Sequence, residues 1–332
     1  MKKSLVILFA ATIGLAACNN EKKGPGGLLY TIHSTENKPK IKEGDFVKID
    51  FIQKNDKDSI IASTYDIDQA RVFPVAKPMY GGDMNDVLFN FAEGDSVTFK
   101  LNIDTMVKHS GQPRPEQLKN DKYLVFTVKI HKVFSKKANE ADSTFQARAN
   151  VFFEADYKAS LDQKKKSEEA KIKKYIADNN LKATTTASGL HYVITKEGTG
   201  AKPVMGDTAI VNYVGKFTHK KTDGQDNVFD TSIEEVAKKT MPPNPMKQFG
   251  PAPIPLSEGI ALGFVEALKL VGKGGKITAI MPSKLGYGEQ GGGPIGPYAP
   301  LVFEIEITDI KKGTAPAAAA PVAPATAPVG AN

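Results

Sequence analysis

The clearest signal along the chain is where apolar residues alternate, where they cluster and where they stop. Leu5 to Ala17 is mostly apolar and follows Lys2 and Lys3. That is too short for a bilayer span of about 20 residues, but it fits the core of a leader peptide. Short alternating runs come next. FVKIDF (Phe46 to Phe51), EGDSVTF (Glu93 to Phe99) and LVFTVKI (Leu124 to Ile130) read as strands; in the last, Leu124, Phe126, Val128 and Ile130 share one face. The same three signals return as TAIVNY (Thr208 to Tyr213), KGGKITA (Lys273 to Ala279) and LVFEIEI (Leu301 to Ile307). Gly27-Leu28-Leu29-Tyr30 precedes Gly44-Asp45 by the same spacing that separates Gly189-Leu190-His191-Tyr192 from Gly206-Asp207. Matched order and spacing define an internal repeat of one β-rich domain.

Between the copies the period changes. Phe145, Ala149, Phe153, Tyr157 and Leu161 recur every four residues, and Ile172 and Ile176 resume the stripe, predicting a helix over about Ser143 to Asn179. Ser143 with Gln146 predicts a capping box at its start. Its middle, DQKKKSEEA (Asp162 to Ala170), is nearly all polar and is expected to stay in water. A helix of that length would span about 54 Å. Two readings remain open, a spacer with docked ends, which is favoured, and a homodimer seam along the stripe. The organisation expected is a leader over 1–17, a flexible tether over 18–26, a first domain over 27–135, a helical linker over 136–183, a second domain over 184–311 and a disordered Ala/Pro-rich tail over 312–332.

Composition trims the functional classes. With one cysteine in 332 residues, an intramolecular disulfide and a Cys-based zinc cluster are excluded. The five histidines are scattered, so no metal site is expected. The formal charge of +7 is modest, and removal of the leader takes away two positive charges, so no nucleic-acid partner follows from it. The glycine-rich stretch at Gly272 to Ile277 lacks the spacing of a phosphate loop and reads as a turn into a strand. Lys164, Lys165 and Lys166 are flanked by Asp162, Glu168 and Glu169, which favours a solvated helix face.

The lone cysteine has a specific setting. Leu15-Ala16-Ala17-Cys18 resembles the lipobox of bacterial lipoproteins. The resemblance implies cleavage before Cys18, lipidation of its thiol and anchoring to a membrane of the cell envelope, with the outer membrane, on its periplasmic side or surface, as the expected site. Several acyl chains at about 0.8 kcal/mol per buried CH₂ hold a protein durably.

The second copy resembles the FKBP-type peptidyl-prolyl cis-trans isomerases over Thr184 to Lys311. The residues that carry the resemblance are Gly189, Leu190 and Tyr192; Gly206, Asp207, Val211 and Tyr213; the turn Asp223-Gly224; and Val228-Phe229-Asp230-Thr231-Ser232. Gly263-Phe264 with Glu266-Ala267-Leu268, Leu285-Gly286-Tyr287-Gly288-Glu289 and Leu301-Val302-Phe303-Glu304 complete the set. The resemblance implies an α+β chain of two FKBP-like domains, each a twisted antiparallel sheet around a short helix, joined by the long charged helix. It implies an apolar cup of Tyr213, Phe229, Ile260, Phe264, Tyr287 and Phe303 with Ile295 on the rim. Asp230 and the Tyr287 hydroxyl would make polar contacts, and the Ala261 N–H would hold a substrate carbonyl. Phe264 stands where the family usually has Trp, Ile254 roughly where it has Phe, and Ala261 where it has a larger apolar residue. The floor is therefore less aromatic. The run Ile233 to Pro253 is longer than the usual loop; a substrate-contacting flap and a tolerated insertion both remain open.

The first copy keeps the fold signals without the chemistry. Phe51 stands for Tyr213 and Phe126 for Phe303, but Ile61-Ala62 replaces Phe229-Asp230, and no Gly-Tyr-Gly occurs around Val107. Two functions are weighed. One is a membrane-tethered prolyl isomerase for unfolded or exported proline-containing polypeptides, needing no cofactor. The other is a non-catalytic lipoprotein chaperone that clasps polypeptide.

Overall fold

The computed structural model describes residues 21–313. The expected leader, Cys18 and residues 314–332 of the Ala/Pro-rich tail lie outside the described residues, whereas Lys312 and Gly313, read as the head of that tail, are held by Asp207. The chain divides into two compact units, one running to Ala62 together with Ala70–Asn139, the other joining Ser63–Gln69 to the chain from Glu140 onward.

The first unit contains β1 (Lys22–Lys23), β2 (Leu29–Ser34), β3 (Phe46–Lys54), β4 (Ile60–Ser63), β5 (Arg71–Pro74), α1 (Met84–Leu88), β6 (Ser96–Asn102), α2 (Ile103–Ser110) and β7 (Tyr123–Phe134). Its antiparallel sheet runs β1-β2-β6-β7-β3-β4, with β5 on β3. Alternation decides which face is dry: Leu124, Phe126, Val128 and Ile130 are buried while their neighbours along β7 are not. The segment read as a flexible tether is ordered from Glu21. Lys22 and Lys23 pair with Tyr30 and Leu29, and the Thr105 hydroxyl donates to the Gly26 carbonyl at 2.8 Å.

A single helix, α3 (Asp142–Asp178), follows and belongs to the second unit. Its N-cap is Ala141, with no side-chain cap bond, so the expected Ser143 capping box does not form. The N-cap lies two residues before Ser143, which places Ser143 inside the first turn rather than ahead of it. The buried residues sit near its two ends, Phe145 and Ala149, then Ile172 and Tyr175.

The second unit continues with β8 (Thr184–Thr185), β9 (His191–Lys196), β10 (Thr208–Lys220), β11 (Asp226–Thr231), α4 (Glu234–Thr240), β12 (Ala252–Pro255), α5 (Leu262–Leu268), β13 (Lys276–Met281) and β14 (Leu301–Lys311). Its sheet order, β11-β10-β14-β13-β9-β8 with β12 on β10, repeats that of the first unit. The repetition extends to irregularities. A register shift between Ile210 and Val211 on β10 matches one between Lys48 and Ile49 on β3.

The repeated Gly-Asp pairs have one geometry. Gly44, Gly94 and Gly206 all have φ between 84° and 91°, where a side chain is strained. The aspartate that follows accepts from the N–H three residues back: Lys42 to Asp45, Ala92 to Asp95 and Val204 to Asp207, at 2.9, 2.9 and 3.0 Å. Glycine turns the chain and the buried carboxylate closes the turn ahead of each strand. Asp207 also accepts from Lys312 at 2.8 Å and from the Gly313 N–H at 3.1 Å. Lys312 and these N–H groups hold its carboxyl down at about 2. A lowered carboxyl pKa stabilises the fold above the ordinary carboxylate range, and that contribution is lost as pH falls through about 2. The Asp207→Asn variant is therefore expected to melt lower at neutral pH and to lose less on acidification. Parallel melting curves between pH 7 and 2 would sink this assignment.

One face of the second sheet packs on α5. Ala209, Val211, Ile277, Ala279, Phe303 and Ile305 share a core with Phe264, Val265, Ala267 and Leu268. On the opposite face, Ile280 and Val302 meet Ile172 and Tyr175 of α3. Beside them Lys216, only 7% exposed, donates to Glu304 at 2.6 Å and to Asp226 at 3.1 Å. Burial works against its charge, but these carboxylates outweigh it and keep the ammonium above its ordinary pKa.

The polar middle of α3 is engaged rather than wholly in water. The Glu168 carboxylate accepts from the Ser283 N–H, and Lys165 lies 5.5 Å from the Tyr298 ring and 3.6 Å from Glu289. A polar run marks a face that is not greasy, and it says nothing about hydrogen bonds offered by a neighbouring loop. Among the described residues, no helix is long and apolar enough to cross a membrane.

Candidate active site

Tyr213 stands on β10, Phe229 and Asp230 on β11, Ile254 on β12, Phe264 on α5 and Phe303 on β14. Ile260, Ala261 and Ile295 come from the loops around them. The structure gathers Tyr213, Phe229, Ile254, Ile260, Ala261, Phe264, Ile295 and Phe303 into one apolar cluster. Phe303 is its hub. Its ring lies 4.9 Å from Phe264 and 5.7 Å from Phe229, both edge-on, and 6.4 Å from Tyr213. Tyr213 meets Phe264 edge-on at 6.0 Å. Edge-to-face packing fixes each ring by its neighbours and leaves an aromatic wall of defined shape.

Asp230 sits at the rim. The Tyr213 hydroxyl donates to its Oδ2 at 2.5 Å, the Thr231 N–H to its Oδ1 at 2.9 Å, and Lys247 pairs with that same Oδ1. Burial and then the Asp230 carboxylate push the Tyr213 phenol well above its ordinary value, so it remains a neutral donor. The Tyr213 backbone is pinned on both sides. Its N–H donates to Ser232 Oγ at 2.9 Å, and its carbonyl accepts from Thr231 Oγ1 at 2.7 Å.

Ala261 is the N-cap of α5, and its carbonyl accepts from Phe264 and Val265. Among the described residues its own N–H has no partner, leaving a donor at the edge of the cluster. Tyr287 stands apart: it is 45% exposed and outside the apolar cluster, though near enough for its phenol to add to the upward shift of Tyr213.

Several residues at this site escaped the sequence reading. Phe217 backs Phe229 at 5.2 Å. Gly215 lies directly under the aromatic wall; a Cβ there would sit 2.8 Å from the Phe303 ring and 2.9 Å from Phe229. Lys247 comes from the long insertion, which also contains α4. Acidic Glu234 and Glu235 in its first turn and Lys238 and Lys239 in its last suit the helix dipole, a signal present in the sequence.

The first unit shows the same place altered. Phe51 pairs with Val128 and Gln53 with Phe126, as Tyr213 pairs with Ile305 and Gly215 with Phe303. Gln53 thus occupies the position of the glycine. Phe99 pairs with Phe126 across β6 and β7 and stacks on it at 5.2 Å, where the second unit has Ala279 against Phe303. What remains is an apolar cavity of about 280 Å³ lined by Phe51, Phe73, Met84, Leu88 and Phe126, with Arg71 at its wall.

An antiparallel sheet packed on one short helix, with an aromatic cup beside the helix and a hydrogen-bonded carboxylate at the rim, defines an FKBP-like domain. Residues 199–308, within the second unit, match the family of FKBP-type peptidyl-prolyl cis-trans isomerases. Over 191 residues the chain is 37% identical to the probable FKBP-type peptidyl-prolyl cis-trans isomerase FkpA of Neisseria meningitidis serogroup B, covering 56% of this chain and 61% of that protein. Over 160 residues it is 37% identical to the outer membrane protein MIP of Legionella longbeachae, covering 47% and 60%. The crystal structure of FkpA from Escherichia coli aligns with a TM-score of 0.40 and 29% identity over 53% of this chain and 76% of that one. The chain thus spans about three fifths of the length of these curated relatives.

Proposed function

We propose that the protein is a peptidyl-prolyl cis-trans isomerase that acts through its second unit on exported, unfolded or partly folded polypeptides. The observation that carries this reading is the mutual packing of the Tyr213, Phe229, Phe264 and Phe303 rings, with Asp230 bonded to the Tyr213 hydroxyl and the Ala261 N–H without a partner among the described residues. Rotation about an X-Pro bond crosses a barrier of about 18–20 kcal/mol and takes tens of seconds unaided. In the rotating state amide resonance is lost and the carbonyl is less polar than in the planar amide. An apolar aromatic wall therefore suits the twisted form better than either planar one, without a nucleophile. A ten-thousandfold acceleration needs about 5.5 kcal/mol of such differential binding. In this reading the Ala261 N–H holds a substrate carbonyl, while Asp230 and the Tyr287 hydroxyl orient the peptide. A protease-coupled assay of the full chain on a prolyl peptide tests it, and no acceleration over the uncatalysed rate would overturn it.

Anchoring to the bacterial envelope through Cys18 is part of the proposal. The lipobox-like sequence supports it, and the name of the Legionella relative places that protein in the outer membrane. The Cys18→Ser protein is expected in the soluble fraction, and unchanged fractionation with membranes would end the claim. For α3 the spacer is proposed over the dimer seam, because its buried residues lie near the two ends. Sedimentation of the full chain as a dimer would reverse that choice. A second reading, polypeptide binding without catalysis, draws on the apolar cavity of the first unit, which lacks a counterpart of Asp230. Client binding that survives loss of prolyl isomerase activity would favour it.

A further inference from the structure

We propose that the insertion between β11 and β12 forms a second subsite, which receives an apolar side chain two or three residues from the proline whose bond lies in the cup. The inference rests on the prolyl-cup reading and names what the neighbouring stretch of the same polypeptide meets.

The insertion lines an open cleft of about 840 Å³ whose walls include Ala237, Met241, Pro242, Pro243 and Phe249. Two further wall residues, Phe229 and Asp230, are ones that the prolyl reading places in the cup, so this space borders that site. A chain held in one passes the mouth of the other.

The segment is built to hold this shape. The Gly250 N–H donates to the Ser232 carbonyl at 2.9 Å, and Lys221 reaches the Thr240 carbonyl at the end of α4. Asn244-Pro245-Met246-Lys247 is a turn closed by the Lys247 N–H on the Asn244 carbonyl at 3.2 Å, with Asn244 Oδ1 accepting from Met246 at 3.0 Å. That turn delivers the Lys247 ammonium to Asp230.

The chemistry of the occupant follows from the lining. The two cations at the wall are each spoken for, Lys238 by Glu234 at 2.8 Å and Lys247 by Asp230. No unpaired charge is left there to favour a charged side chain, and the remaining walls are apolar. Phe249 is 37% exposed and Met246, on the turn beside it, 90% exposed. Large apolar groups grouped at the edge of a pocket gain nothing from water and are covered when an apolar side chain arrives.

The test uses the full chain and two fluorescent octapeptides that share one proline. In one, the residues two and three positions from the proline on either side are leucine; in the other they are serine. Both kcat/KM for isomerisation and binding by fluorescence polarisation are read. The wild-type chain is expected to favour the leucine peptide by about tenfold in both readouts, the gain from burying one such side chain. In the Met241→Ser, Phe249→Ser double variant the preference is expected to fall to about twofold or less. Should that variant not fold by circular dichroism, the single Phe249→Ser change at the exposed ring carries the comparison. Equal treatment of the two peptides by the wild type, or an undiminished preference in the variant, overturns the subsite. If the wild type isomerises both peptides equally, the prolyl reading stands and the subsite falls. If it prefers the leucine peptide in binding yet isomerises neither, the subsite stands and the isomerase reading falls.

Discussion

Asp230→Ala is expected to lower kcat/KM for prolyl isomerisation by about tenfold or more, corresponding to at least ~1.4 kcal/mol of transition-state stabilisation. Three donors converge on this carboxylate: the Tyr213 hydroxyl, the Thr231 N–H and Lys247. Alanine would leave the phenol without its acceptor, and a stranded buried polar group costs about 1–3 kcal/mol. The phenol would then turn toward water or toward the substrate, and Lys247 would no longer fasten the insertion beside the cup. The effect should fall mainly on kcat/KM rather than on the melting temperature, because Asp230 is at the rim and the apolar cluster behind it is unchanged. Tyr213→Phe removes the same bond from the other side and should act in the same direction. Turnover of the Asp230→Ala protein within about twofold of wild type would show that the carboxylate is not part of the working site.

Gly215→Ala is the smallest change with a comparably large expected effect. The new methyl group would lie 2.8 Å from the Phe303 ring and 2.9 Å from Phe229, closer than real Cβ atoms come to anything. Both rings belong to the aromatic wall, and Phe303 touches three others. Relief requires that the rings move or that β10 and β14 part. Overpacking of this kind costs about 1–3 kcal/mol of stability, and the wall it displaces is the surface proposed to fit the twisted amide. A fall in kcat/KM of about tenfold or more, with the melting temperature lowered, is expected. In the first unit Gln53 occupies this register position and Phe99 stacks on Phe126. A Gly215→Ala enzyme of normal activity would mean that the wall tolerates a shift and that its shape is not what accelerates rotation.

Much of the fold was legible because strand alternation is a local property. Leu124, Phe126, Val128 and Ile130 could be assigned to one buried face from their spacing alone. The Gly-Asp pairs were visible as repeated letters; that each aspartate accepts an N–H three residues back is a local bond that the spacing already allows. The cup residues were named from a family resemblance, and eight of the apolar ones meet in a single cluster. Tyr287, named with them, stands exposed outside it. Less legible were features that depend on two distant segments meeting. Nothing near Gly215 in the chain announces the rings of Phe229 and Phe303, and nothing near Lys247 announces Asp230. The cap of α3 was expected at Ser143 and lies two residues earlier, at Ala141, without a side-chain cap bond. Its polar middle was assigned to water although Glu168 has a partner in Ser283.

The sequence by itself determined the β-rich repeat, the helix between its copies and the identity of the copy that keeps an aromatic-and-carboxylate set. The first two follow from periodicity and motif order, which are written along the chain; the third follows from the family resemblance. Tertiary structure alone decided that a glycine must lie under the aromatic wall, that a lysine from the insertion closes on Asp230, and that Phe229 and Asp230 also line the space beside the insertion. Those features are distances between segments that only folding brings together, and close packing makes them depend on fractions of an ångström that no pattern of letters records.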